Sequence, residues 1–179
     1  MGSTAALISV DEYLNTSYKP DMDFVDGVLV RRNVGTTRHG RLQTILVLYL
    51  HQFEESHGIE ILVETRLRVD AATSRYRVPD LLAMPVPYQE GKAITEVPVL
   101  IIEIKSPEDS FDDIVDRCFD YEKLGVPNIL GMDPERRRAW VFQRGKLEFL
   151  GESISVNAGR PPLIDVSFTE IFARLDRKP

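Results

Sequence analysis

Apolar residues recur along this chain at two spacings, and the switches between them mark its elements. Ser9-Val-Asp-Glu12 is a capping box, so a short helix is predicted to start near Ser9 and run through Tyr13 and Leu14. In "DFVDGVLV" two apolar triplets flank Asp26-Gly27, which predicts a tight β-hairpin. From about Thr37 to Ser56, Leu42, Ile45, Leu46, Tyr49, Leu50 and Phe53 repeat every three to four residues. That period predicts a long amphipathic helix, ended by Gly58.

"IEILVETRLRVD" alternates, with Val63, Thr65, Leu67 and Val69 on one side and Glu64, Arg66 and Arg68 on the other, as a single strand would. "YRVPDLLAM" reads as the next strand, and "VPVLIIEIK" is the most apolar and so expected at the centre of the sheet. Ser110-Phe-Asp-Asp113 opens a helix to Leu124 with Gly125 as its stop, and Ile114, Val115, Cys118 and Tyr121 are its inward residues. "NILGMD" and "AWVFQRGKLEFL" supply further strands, and Ser167 caps a last short helix. The order helix, strands, helix, strands predicts a mixed α/β fold in a single domain over 1–179.

Composition narrows the picture modestly. Of 179 residues, 43% are hydrophobic and 28% charged, enough to bury a sizeable core, and no apolar run reaches the roughly 20 residues a membrane helix needs. With no signal-like N-terminal segment and with Cys118 as sole cysteine, a cytoplasmic protein without disulfides or cysteine-based zinc is expected. The net charge of −6 argues against broad electrostatic binding of nucleic acid and leaves room for local basic surface. Arginine clusters stand at Arg31-Arg32, Arg66/Arg68, Arg75/Arg77 and Arg136-Arg137-Arg138, the last read as a solvated surface trio.

The chemistry lies in the polar residues ending the most apolar strands. Residues two apart in a strand share a face, so Glu103 and Lys105 are expected to project together. Asp80, after a proline that weakens pairing, approaches Glu103 if the two strands are neighbours. Two adjoining carboxylates repel unless a proton or cation lies between them, and a hard cation such as Mg²⁺, or Mn²⁺, suits oxygen ligands. With Lys105 steadying negative charge, these are the parts of phosphodiester hydrolysis. The plain alternatives are a structural Glu103–Lys105 ion pair and an Asp80 that caps a turn.

"PD" followed after a spacer by "EIK" resembles the PD-(D/E)XK nuclease superfamily. "VDEYL", "DFVDGVLV", "RHGRLQ", "YRVPDLLAM", "VLIIEIKSPEDS", "DIVDRCFDYEKLGVPNIL" and "MDPERRRAWVF" together resemble, in order, the bacterial Uma-two family, whose members are described as restriction endonucleases. The resemblance spans Ser9 to Phe149. It implies a restriction-endonuclease-like core with flanking helices and an extra N-terminal hairpin. It implies Asp80, Glu103 and Lys105 as catalytic residues, and Asp80, Glu103 and the Ile104 carbonyl as metal ligands. Asp23 stands where many relatives carry a glutamate that completes the site, Glu64 matches a further acidic position, and His39 matches a common histidine, expected either to contact the site or phosphate or to act as a partly exposed cap at the start of the long helix. Many relatives place a lysine one helical turn before the tyrosine matching Tyr121, where this chain has Arg117, a residue read here as surface. Arg66 and Arg68, on the predicted face of Glu64, are candidates for a phosphate backbone.

Two classes of function follow: a metal-dependent endonuclease acting on nucleic acid, with DNA expected, or a catalytically silent module of the same fold that binds nucleic acid or a protein. Cutting both strands favours paired sites, so a homodimer is expected, with no membrane partner.

Overall fold

The computed structural model describes residues 7–33 and 35–177. In chain order the elements are α1 (Val10–Asn15), β1 (Asp23–Val25), β2 (Val28–Val30), α2 (Thr37–His51), α3 (Glu54–His57), β3 (Ile59–Val63), β4 (Leu67–Asp70), β5 (Arg75–Arg77), β6 (Leu81–Pro85), β7 (Leu100–Ile104), α4 (Phe111–Leu124), β8 (Ile129–Asp133), β9 (Arg138–Gln143), β10 (Lys146–Phe149), β11 (Ser153–Val156), β12 (Ile164–Ser167) and α5 (Phe168–Asp176). Mixed α/β is the observed class. Among the described residues no helix is long and apolar enough to cross a membrane.

A six-stranded sheet in the order β10-β9-β8-β7-β6-β3 forms the centre. β7 and β8 run parallel, as the α4 crossover between them requires, and the other neighbours are antiparallel. Alternation divides β7 between two cores. Leu100, Ile102 and Ile104 face α2 and α5, whereas Ile101 packs toward α4 with Cys118 and Tyr121. Burying each such aliphatic side chain contributes about 1.5–3 kcal/mol. Glu103 shares the parity of Ile101, so strand geometry directs a carboxylate into the α4 side.

The capping residues act as expected: the side chains of Ser9, Ser110 and Ser167 accept from the backbone N–H three residues on. Asp26 (φ 52°) and Gly27 (φ 88°) make the hairpin turn. Gly58 and Gly125 close their helices in the left-handed region. The long helix predicted to Ser56 ends at His51, and a separate turn of helix carries the chain to Gly58.

Two segments expected to be single strands are each broken. "IEILVETRLRVD" divides at Glu64, which turns at φ 47° into β3 of the large sheet and β4 of a four-stranded sheet ordered β2-β1-β5-β4. "YRVPDLLAM" divides at Val78–Asp80 into β5 of the small sheet and β6 of the large one. Glu64, Arg66 and Arg68 therefore do not share a sheet face. His57 is buried and hydrogen-bonds through Nε2 to the Pro162 carbonyl at 2.9 Å.

Candidate active site

Leu81 pairs with Ile102 across β6 and β7, so the residues just beyond, Asp80 and Glu103, are brought side by side. Both are almost wholly buried, at 3% and 2% exposure. Asp80 Oδ2 accepts from the Ile104 amide at 2.7 Å, and Oδ1 accepts from the Arg32 guanidinium at 2.6 Å. His39 Nε2, on the first turn of α2, lies 3.5 Å from Oδ2. Glu103 Oε1 accepts from the Tyr121 hydroxyl at 2.6 Å, and Arg117 Nε stands 3.4 Å from Oε2. Arg117 and Tyr121 are one turn apart on α4, so a single helix face supplies both.

The two carboxyls are driven in opposite directions. Burial pushes Glu103 up to about 7; the charge of Arg117 offsets part of that and the charge of Asp80 adds to it. Burial acts the same way on Asp80, but the His39 hydrogen bond and the Arg32 charge outweigh it and hold that carboxyl below the usual range. His39 is raised in turn, burial opposing and Asp80 prevailing. One carboxyl low and its neighbour high is the behaviour of an acid pair sharing a desolvated site.

A cavity of about 10 Å³ lies over the pair, lined by Arg32, His39, Asp80, Glu103, Ile104 and Arg117 among others. That holds about one water. In kind, the donors fit a hard divalent cation: two carboxylates with lone pairs unused, and a Glu103 whose raised affinity for a proton is what a cation would displace. Among the described residues no group of three or more His, Cys, Asp and Glu side chains is already arranged around a metal position.

The other expected residues fall elsewhere. Lys105 follows the last residue of β7, and its ammonium donates to the Ser106 carbonyl at 2.9 Å instead of turning to Glu103. It lines cavities on the far side of Ser106 and not the one over the acid pair. Ile104 reaches the site through its amide, bonded to Asp80. Asp23 is buried nearby but committed to Arg77 at 3.0 Å and to the Val78 amide at 2.9 Å. Glu64 is exposed at its turn and lines none of the acid-pair cavity. Arg66 is buried with its guanidinium held by Asp21 and by the carbonyls of Tyr13 and Thr16, all within 2.8 Å, and it lines none of the acid-pair cavity. Arg68 is half-buried on β4 of the small sheet.

Arg32, Arg117 and Tyr121 line or bond to the site, though the sequence assigned none of them a part in it. Arg117 and Tyr121 carried a signal in their four-residue spacing. Arg32 lies in an irregular segment and stood out only as half of the Arg31-Arg32 cluster.

The chain thus has a central mixed sheet with an acid pair at the ends of two inner strands, in a mixed α/β fold. The crystal structure described as "a putative nuclease belonging to DUF820 from Anabaena variabilis ATCC 29413" shares the fold, with TM-score 0.77, 18% sequence identity and coverage of 94% of this chain and 99% of that one. Residues 10–166 match the Uma2 family, described as "Putative restriction endonuclease", and the chain belongs to that family. A cryo-electron microscopy structure of a DrdV–DNA complex is matched at TM-score 0.40 and 18% identity over 79% of this chain and 13% of that one, too loosely to carry an argument. No curated protein matches the chain.

Proposed function

We propose that this chain is an endonuclease that hydrolyses phosphodiester bonds in DNA, as one domain, at the Asp80–Glu103 pair. The supporting observation is that two carboxylates from adjoining strands face one buried cavity, with Glu103 holding its proton up to about 7. Asp80 and Glu103 would hold Mg²⁺ or Mn²⁺, with the Ile104 carbonyl as the expected further ligand. Such a cation, when bound, polarises a phosphoryl oxygen and acidifies a coordinated water.

The chain's own residues have separate tasks. The Ile104 amide and His39 fix the Asp80 carboxylate, and Tyr121 fixes that of Glu103. Arg117 and Arg32 line the same cavity, and although it is too small to enclose a phosphate, their guanidinium charge would face one that approaches its mouth. Arg117 thus takes the cationic position that the sequence assigned to Lys105. A homodimer remains the proposed assembly, because two strands require two such sites.

The test is nicking of supercoiled plasmid with Mg²⁺ or Mn²⁺. Asp80→Asn and Glu103→Gln are expected to lower the rate at least about 100-fold, the scale of losing one stabilising group at the reacting phosphate. A silent DNA-binding module is the second reading, favoured by the arginine charges that already stand against both carboxylates. It would bind DNA and leave plasmid intact with either cation.

A further inference from the structure

Behind the Ser106–Asp109 turn, away from the acid pair, lies a cavity of about 520 Å³ lined by Lys105, Ser110, Phe111, Asp133, Arg136 and Arg138 together with Pro107 and Asp109. A smaller one of about 250 Å³ adjoins it around Lys105, Ser106 and Arg136. Ser106 lines both this smaller space and the acid-pair cavity, and Asp109 lines both the larger space and the acid-pair cavity. The two regions are therefore the two sides of one turn.

The cations here are held unusually. Lys105 is 7% exposed, yet among the described residues it pairs with no carboxylate. Its ammonium donates once, to the Ser106 carbonyl, and sits 5.8 Å from the centre of the Phe111 ring. Arg138 likewise lies 5.6 Å over Phe149, whose ring packs edge-on against Phe111 at 6.2 Å. Ring faces steady a cation without consuming its N–H donors. The nearby acids, by contrast, are engaged: Asp133 accepts from the amides of Glu135 and Arg136, Asp109 from Asn33 and the Ser106 amide, and the Glu135 carboxylate at the rim of the smaller cavity stands 4.0 Å from Arg38. Arg136 reaches Asp133 only at 3.4 Å, and its side chain is largely exposed. A buried ammonium with donors to spare, beside two arginines and occupied acids, calls for an external anion.

We propose that Lys105, Arg136 and Arg138 form a second anion site that grips a backbone phosphate of the nucleic acid flanking the one at Asp80 and Glu103. This rests on the nuclease reading for the identity of the ligand, though not for the existence of the site. The space admits a phosphodiester with several waters, each needing about 30 Å³.

Two probes test it: inorganic phosphate, followed by thermal shift, and a labelled DNA duplex without divalent cation, followed by fluorescence anisotropy over a range of salt. Arg136→Gln with Arg138→Gln, both at exposed positions, should weaken duplex binding about tenfold and flatten the slope of log K against log salt by about 0.9 for each phosphate no longer neutralised. The stabilisation by phosphate should disappear. Lys105→Gln should lose in KM rather than in kcat. Unchanged affinity, salt slope and phosphate stabilisation in the double variant would overturn the proposal, as would a Lys105→Gln defect confined to kcat. If the wild type cuts nothing but phosphate still stabilises it and not the variants, the anion site stands and the nuclease reading falls.

Discussion

Replacing Glu103 with glutamine should make the metal-free protein gain stability relative to the wild type as pH rises, by an amount set by the carboxyl it removes. The carboxyl ionises at about 7 in the folded chain against an ordinary 4.5. The folded state therefore binds this proton more tightly than the unfolded state does. Below pH 4.5 both states keep it and nothing is lost. As pH rises from 4.5 through 7 the unfolded chain ionises first, so stability falls, and above 7 the loss is complete. Each pH unit is about 1.4 kcal/mol, so the wild type forfeits about 3 kcal/mol by pH 8. Glu103→Gln cannot ionise and escapes this loss. Whatever the amide costs in packing or in its contact with Arg117 is present at pH 4.5 as well as at pH 8, so the change in the difference between the two proteins isolates the carboxyl. Urea denaturation across that range, with chelator present, measures it. Adding Mn²⁺ at pH 8 should restore stability to the wild type alone, since a ligand that binds only the folded state stabilises it by mass action. A wild-type-to-variant difference that stays flat from pH 4.5 to 8 would refute the argument.

Other substitutions probe other parts of the site and its frame. Tyr121→Phe removes the hydroxyl donated to Glu103 and leaves a buried acceptor short; a loss of about 1–3 kcal/mol is expected by denaturation, larger at pH 8 than at pH 5 because the ionised carboxylate needs the donor more. Arg66→Ala strips the Asp21 carboxylate and two carbonyls of their donors and should cost about 3 kcal/mol, with DNA affinity per folded molecule unchanged. Gly131→Ala would set a methyl 2.1 Å from the Trp140 indole, since the two residues are paired across β8 and β9; the unfolding free energy should fall by about 1–3 kcal/mol or more, as overpacking does, and the melting temperature with it.

Much of the frame is legible from the sequence because it follows from local rules. The capping serines, the Asp26-Gly27 turn and the terminal glycines act within a few residues, and the apolar density of "VLIIEI" places β7 inside the sheet. The break at Glu64 is not legible, because alternation continues through it and only the packing of two separate sheets interrupts it; the break at Val78–Asp80 has its signal in Pro79, which weakens pairing there. Proximity of Asp80 to Glu103 could be reasoned from adjoining strands. The placement of Lys105 could not: alternation holds only while the strand does, and β7 ends at Ile104. Arg32 comes from a segment with no period at all, and its partner is 48 residues away.

β3 leaves the large sheet at Val63, and β6 re-enters it at Leu81, the residue directly opposite. Everything from Glu64 to Asp80, two strands of the small sheet included, is a detour whose ends are sewn together, with the Glu64 amide donating to the Asp80 carbonyl at 3.3 Å. The chain can thus lengthen, shorten or redecorate the tip of that detour around Ala71–Ser74 while the seam keeps its stitch. Variation in what the outer lobe touches is mechanically insulated from the carboxylate anchored at its base.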